Sequence, residues 1–200
     1  SAGSIISRAA HNVPLLNRYE FDEPYIYQLV GNSPEKLSMA VEILSETGCF
    51  SIDINMGCPA PDITKTGSGS KLLTDFNKSK SIIQECRKTC KTKLSVKMRT
   101  GFDKQDEKSI INFAKMLEGE GVDFIAVHPR YAKLYYTRKA DWSMVKKIKE
   151  SINIPLIGNG DITTAMASIE KMELTNCDAI MIGREAIKSP WIFKQCNDLL

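Results

Sequence analysis

Six short runs of apolar and β-branched residues recur along this chain, and a helical pattern follows each one. The runs cover residues 25–30, 51–55, 94–98, 124–128, 155–158 and 179–183. Most are continuously apolar rather than alternating, the pattern of strands covered on both faces. Between the first two, Ser33 and Pro34 open a helix as cap and first helical residue. Ala40, Val41, Ile43 and Leu44 supply its apolar face, and Gly48 ends it. Further helices are expected near 77–89, 105–118, 142–151, 163–172 and 190–199. The stretches from 105 and from 163 space their apolar residues three and four apart. Strands alternating with helices specify an α/β protein with a parallel sheet and right-handed crossovers. Two architectures meet that description, an open doubly wound sheet and a closed (β/α)8 TIM barrel.

The strand ends favour the barrel. No strand is followed by Gly-x-Gly-x-x-Gly with an acidic residue about 20 positions later, so the dinucleotide-binding sheet loses ground. Each run instead ends in a chemically capable group: Gln28, Asn55, Lys97, His128, Asn159 and the pair Gly183-Arg184. A polar side chain at the end of a buried strand costs free energy unless something pairs with it. Repeated at all six ends, it gathers those ends around one ligand, where barrel enzymes keep their active sites.

Composition narrows the class further. Hydrophobic residues make up 42% and charged residues 26%, enough for a packed core and ordinary for a globular protein. The net charge of +3 permits an acidic partner without the surplus of a protein that coats DNA. The six cysteines show no disulfide framework. Cys86 and Cys90 lie four apart with no second Cys/His pair nearby, so no metal site is expected. No stretch approaches the roughly 20 apolar residues of a membrane span. The opening residues lack the charged start and apolar block of a signal peptide. The cytoplasm is the expected location.

Two places carry chemistry. Met56-Gly57-Cys58-Pro59 follows the second strand directly, and Gly67-Ser68-Gly69-Ser70 follows shortly after. A free cysteine usually packs in a core; a thiol on a turn just beyond a strand's carboxyl end is placed for reaction. Gly158-Asn159-Gly160-Asp161 follows the fifth strand and Gly183-Arg184 the sixth. Each alone reads as a glycine-containing turn or a surface arginine. Paired on the last two strands, they match the phosphate site that barrels build there. Glycine lets backbone N–H groups approach phosphate oxygens, and the arginine fork grips them in pairs.

At these residues the chain resembles the tRNA-dihydrouridine synthase family, in its bacterial style. The resemblance is carried by Asp53-Ile-Asn-Met-Gly-Cys-Pro59, Gly67-Ser-Gly-Ser-Lys-Leu-Leu73, Val96-Lys-Met-Arg-Thr-Gly101, His128-x-Arg130, Lys139-Ala-Asp-Trp142, Gly158-Asn-Gly-Asp161, Ile182-Gly-Arg184 and Pro190-Trp-Ile-Phe193. The resemblance implies an FMN-dependent oxidoreductase that reduces the C5–C6 bond of a uridine in tRNA, with NADPH or NADH re-reducing the flavin. It makes Cys58 the acid that protonates C5 after hydride reaches C6. Asn55 holds the uracil edge, and Arg99 and Arg130 are further candidates for substrate contact. Gln28, Lys97 and His128 contact the isoalloxazine. Asn159, Gly160, Asp161, Gly183 and Arg184 form the phosphate end of the cofactor site. The chemistry suits these residues. An ordinary thiol, with a pKa of about 8.5, is protonated at neutral pH and can deliver a proton. A lysine beside the flavin stabilises its anionic reduced form. His11 receives no role.

A uracil inside folded RNA must be flipped out to reach a pocket, which calls for cations at the mouth. Lys65, Lys71, Arg99, Lys104, Arg130, Lys133, Arg138 and Lys139 all follow strand ends. The match departs from the family in three ways. The family's first two strands have no counterpart, so residues 1–200 are expected to be an FMN-binding TIM-barrel catalytic domain lacking its N-terminal part, with six of eight βα units. The helical tRNA-binding domain that follows the family's barrel is expected to be absent. In Tyr136-Thr137-Arg138-Lys139, Arg138 stands where the family prefers Gly, and Pro129 replaces a small residue. A barrel short of two strands is expected to expose two sheet edges. Two other functions stay open on this reading: an FMN barrel acting on a free pyrimidine, as dihydroorotate dehydrogenases do, and an RNA-binding barrel without catalysis.

Overall fold

The computed structural model describes residues 1–6, 23–135 and 137–200. His11 and Tyr136 lie outside the described residues. Among the described residues six strands form one sheet: β1 (Ile26–Leu29), β2 (Ser51–Met56), β3 (Lys93–Arg99), β4 (Phe124–His128), β5 (Leu156–Asn159) and β6 (Ala179–Met181). Every neighbouring pair is parallel, and spatial order equals chain order. A doubly wound sheet reverses its strand order at a switch point; this one never does. Right-handed crossovers that always step the same way carry their helices to one face. The described residues thus form six βα units of a TIM-type barrel. Among the described residues β1 and β6 each have a partner on one side, so both are sheet edges.

The principal helices are α1 (Ala2–Ile6), α2 (Pro34–Ser45), α3 (Pro61–Thr64), α4 (Phe76–Thr89), α5 (Glu107–Gly119), α6 (Trp142–Lys149), α7 (Ala165–Thr175), α8 (Arg184–Lys188) and α9 (Ile192–Leu199). Ser33, Asp75, Asp106 and Thr164 each accept a hydrogen bond from the N–H three residues on. Such caps contribute about 1 kcal/mol apiece. Short 3₁₀ turns occupy Gly69–Thr74 and Ala132–Leu134. The helix expected over 190–199 is α9, a separate short helix, α8, precedes it, and β6 stops at Met181. On α2 the buried residues are Leu37, Ala40, Val41 and Leu44, while Ile43 is 40% exposed. It lies about 200° around the helix from Val41 and faces outward.

The inner strands depart from the continuous apolar pattern. Ile52, Ile54 and Met56 of β2 and Leu94, Val96 and Met98 of β3 are fully buried in the core, as are Leu37, Leu44, Ile82, Ile83 and Leu117 from the helices. Burying one such side chain contributes about 1.5–3 kcal/mol. The intervening residues, Ser51, Asp53, Asn55 on β2 and Ser95, Lys97, Arg99 on β3, point to the opposite face. Register sets them in rows. Gln28 stands beside Asp53, and Asp53 beside Ser95. Asn55 stands beside Lys97 and Lys97 beside Ala126, while Arg99 is level with His128. The concave face is therefore lined with polar groups that climb towards the carboxyl ends.

Candidate active site

An open cleft of about 1000 Å³ lies at those carboxyl ends. It is lined by Gln28, Asn55, Cys58, Lys97, Arg99, His128, Arg130, Asn159, Gly160, Asp161, Gly183 and Arg184. Every residue singled out at the strand ends thus meets the same space. The lining holds eight Lys or Arg side chains against two carboxylates, Asp161 and Glu185. Among the described residues no cluster of three or more His, Cys, Asp or Glu is placed to hold a metal ion.

Cys58 sits half-buried on a turn that is held from both sides. Its N–H and that of Gly57 donate to Asn55 Oδ1 at 2.9 and 3.1 Å. Its carbonyl accepts from the Ser70 N–H and the Ser70 hydroxyl, both at 2.9 Å. Gly69 has φ +61°, and a Cβ there would lie 2.7 Å from the Cys58 carbonyl oxygen. Only glycine lets the loop press this closely against the thiol-bearing residue. Asn55 is committed on its other end too, donating through Nδ2 to Gln28 Oε1 at 2.8 Å.

The electrostatics are those of a cationic pocket with one neutral ring. Burial lowers the Lys97 pKa, opposed by the charge of Asp53 and reinforced by that of Arg99. Burial, with the charges of Arg99, Lys97 and Arg130, pushes the His128 pKa down to about 3, against the pull of Asp161. The imidazole is therefore neutral at physiological pH. Arg130 Nη1 lies 2.9 Å from His128 Nε2. A guanidinium only donates, so Nε2 accepts and the ring proton sits on Nδ1.

Arg130 is 3% exposed and grips Asp161 with two bonds, 2.8 and 2.6 Å, while its Nε donates to the Arg138 carbonyl at 2.6 Å. Asp161 also accepts from the Ala140 N–H at 2.7 Å and lies 3.6 Å from Arg184, whose side chain is 66% exposed. Burial raises the Asp161 pKa, but the Arg130 hydrogen bonds, the Ala140 N–H and the two arginine charges outweigh it and leave it lowered. Arg99, 2% exposed, donates to the carbonyls of Tyr131 and Tyr135, both at 3.2 Å. It thereby braces a loop in which Tyr135 has φ 48°. Gly160 has φ +130°, and a Cβ there would meet His128 Cδ2 at 2.9 Å. Asn159 Nδ2 donates to the Met181 carbonyl at 2.8 Å, tying β5 to β6.

Of the cations expected at the mouth, Arg138 and Lys139 line the cleft and are exposed, and Lys171 and Lys188 join them. Lys65, Lys71, Lys104 and Lys133 lie outside the lining. Lys71 and Lys133 instead stand 4.7 and 6.0 Å from the Phe102 ring centre. Sequence reasoning missed three supports: Asp53, Ser70, and Trp142, whose indole N–H donates to the Gly160 carbonyl at 3.1 Å. The signal for Asp53 was the two-residue period Ser51, Asp53, Asn55 inside an otherwise apolar strand.

A convergent polar cleft at the carboxyl rim of a singly wound parallel sheet is the arrangement of a TIM-type α/β barrel. Residues 1–199 match the family model described as Dihydrouridine synthase (Dus), and the chain belongs to that family. It is 36% identical over 173 residues to tRNA-dihydrouridine synthase B of Pasteurella multocida, covering 86% of this chain and 52% of that one. It is 35% identical over 179 residues to tRNA-dihydrouridine synthase B of Pseudomonas aeruginosa, covering 90% and 54%. The chain thus spans about half the length of the curated relatives it matches. Among solved structures, N-acetylneuraminate lyase from Mycoplasma synoviae superposes with a TM-score of 0.58 at 15% identity, over 82% of this chain and 59% of that one. That likeness concerns the fold alone. Among the described residues no helix is long and apolar enough to cross a membrane.

Proposed function

We propose that this chain is the catalytic barrel of a tRNA-dihydrouridine synthase that uses FMN, with NADPH or NADH as reductant. The observation that carries the reading is the convergence of Cys58, Asn55, Lys97 and His128 on one cationic cleft in a member of this family. The lining suits FMN. Eight cations favour a doubly charged phosphate, and the side chain missing at Gly160 leaves room against His128. Bound and reduced, FMN supplies the hydride that reaches C6 of the uracil. Gln28, Lys97 and the Nδ1–H of His128 present donors to the ring, and Lys97 offsets negative charge there. Gly160, Gly183 and Arg184 hold the phosphate, Asn159 fixes the β5–β6 juncture beneath it, and Asp161 orients Arg184. The Cys58 thiol delivers the proton to C5, aimed by Asn55 and Ser70, and the second Nδ2 hydrogen of Asn55 serves the uracil edge.

Arg99 and Arg130 are buried, so they serve the substrate by shaping the rim. Arg138, Lys139 and Lys188 meet RNA phosphates, and that binding weakens with salt. The cytoplasm, where tRNA resides, is the proposed location. Residues 1–200 correspond to part of a longer barrel whose remaining strands complete the sheet edges.

Purified protein with a flavin spectrum, and NADPH-dependent dihydrouridine in tRNA lost in Cys58→Ala but with flavin retained, is the expected result. A protein extended at its N-terminus is expected to hold more FMN than this chain. Reduction of free uracil in place of tRNA, or normal turnover by Cys58→Ala, would defeat the reading.

A further inference from the structure

Asp53 lies one row below Asn55 on the concave face, 6% exposed. Its two carboxylate oxygens accept from Gln28 Nε2 at 2.8 Å and from the Ser95 hydroxyl at 2.9 Å. Gln28 Oε1 accepts from Asn55 Nδ2, and Asn55 Oδ1 accepts from the N–H groups of Gly57 and Cys58. A continuous chain of hydrogen bonds thus runs from a buried carboxylate on β2, through β1, back to the cysteine turn.

The direction of each link follows from its ends. Backbone N–H groups only donate, and an ionised carboxylate only accepts. Asn55 must therefore turn its oxygen to the turn and its NH₂ to Gln28. Gln28 must turn its oxygen to Asn55 and its NH₂ to Asp53. Reversing either amide sets donor against donor. Burial raises the Asp53 pKa to about 6, so at pH 7.5 the carboxyl is ionised and accepts only. An apolar residue at position 53 would remove the acceptor that holds the Gln28 NH₂, so Gln28 could swing away and Asn55 would be anchored at its turn end alone.

We propose that Asp53 is a positioning residue which, through Gln28 and Asn55, fixes the Gly57–Cys58 turn and so the placement of the Cys58 thiol. Its consequence for turnover rests on Cys58 being the proton donor; its consequence for the turn does not.

The test is residue-resolved amide exchange at pH 7.5 with Asp53→Leu, Asp53→Asn, Gln28→Met and the Leu/Met double variant. Asp53→Leu and Gln28→Met are each expected to speed exchange at Cys58 about tenfold, the size of one lost hydrogen bond. The double variant is expected to be no faster than either single one, because both cut the same chain. Asp53→Asn still offers an oxygen to Gln28 while its NH₂ turns to Ser95, and is expected to stay within about twofold of wild type. General loosening would instead add in the double variant and would speed Val127 on β4 as well. Wild-type exchange at Cys58 in folded Asp53→Leu, or additive effects, would overturn the proposal. If Asp53→Leu does not fold, Asp53→Ser, whose hydroxyl falls short of Gln28, takes its place with the same expectations. In turnover, Asp53→Leu is expected to lower kcat tenfold or more with KM little changed, at about the scale of a misplaced reacting group. Exchange needs neither flavin nor RNA. Altered exchange with unaltered turnover would count against Cys58 as the proton donor and leave the positioning role standing.

Discussion

Acidification sets two buried groups of this site against each other. His128, 7% exposed, has its pKa lowered to about 3, whereas an unfolded histidine titrates near 6.5. Below pH 6.5 the unfolded chain takes up a proton that the folded chain refuses, so stability present above 6.5 is lost as pH falls towards 3. Each pH unit in that window costs about 1.4 kcal/mol, or about 2 kcal/mol by pH 5. Asp53 has the opposite sign. Its pKa is raised to about 6, above the value near 3.9 of an unfolded aspartate. Between those values the folded chain binds the proton more tightly, so stability rises as pH falls. By pH 5 the gain is about 1.4 kcal/mol.

Wild type therefore hides most of both effects, and single substitutions expose them. Urea unfolding followed by circular dichroism at pH 7.5 and pH 5 measures the change on acidification. Relative to wild type, His128→Asn is expected to shift that change by about 2 kcal/mol in the stabilising direction. Asp53→Asn is expected to shift it by about 1.4 kcal/mol in the destabilising direction. Other titrating groups contribute to all three proteins and cancel in the comparison. If His128→Asn responds to pH as wild type does, the imidazole is not held neutral, and the assignment of its proton to Nδ1 fails with it.

Arg130→Met removes the buried side of a part-buried ion pair and is expected to cost about 2 kcal/mol in urea unfolding; a loss below about 0.5 kcal/mol would show that Asp161 finds enough partners in Ala140 and Arg184. Gly158→Ala would place a Cβ 2.4 Å from the Trp142 ring. It is expected to destabilise by about 1–3 kcal/mol and to shift Trp142 fluorescence as the bond to Gly160 breaks. Gly69→Ala forces a side chain into φ +61° against the Cys58 carbonyl. A cost of about 1–2 kcal/mol is expected, with turnover lost and flavin retained.

The strands were legible because their apolar residues report burial against the helices, a property a one-dimensional pattern carries. Position along the chain also sufficed to place Cys58, His128 and Arg184 at one rim, since every strand in a parallel sheet exits on the same side. Partners were harder to see. Asp53 and Gln28 are 25 residues apart, and Arg130 and Asp161 are 31 apart. Their pairing depends on strand order and register, which no local spacing encodes. Arg130 was therefore read as reaching for substrate, whereas its guanidinium turns inward to Asp161.

The concave face explains why such pairs exist. A cluster of Asp53, Ser95 and Ser51 beneath the cleft is a poor way to build a core, because each buried polar group left unpaired costs about 1–3 kcal/mol. Here none of the three lacks a partner: Ser51 donates to Ser95 at 3.1 Å, Ser95 to Asp53, and Asp53 receives Gln28. Apolar residues in the same row would hold β2 and β3 together at least as well. They would leave the Gln28 amide without the acceptor that fixes it, and Asn55 held only from the turn. The polar row is thus better explained by the orientation it imposes on Gln28 and Asn55 than by the stability it adds, and that orientation ends at the cysteine.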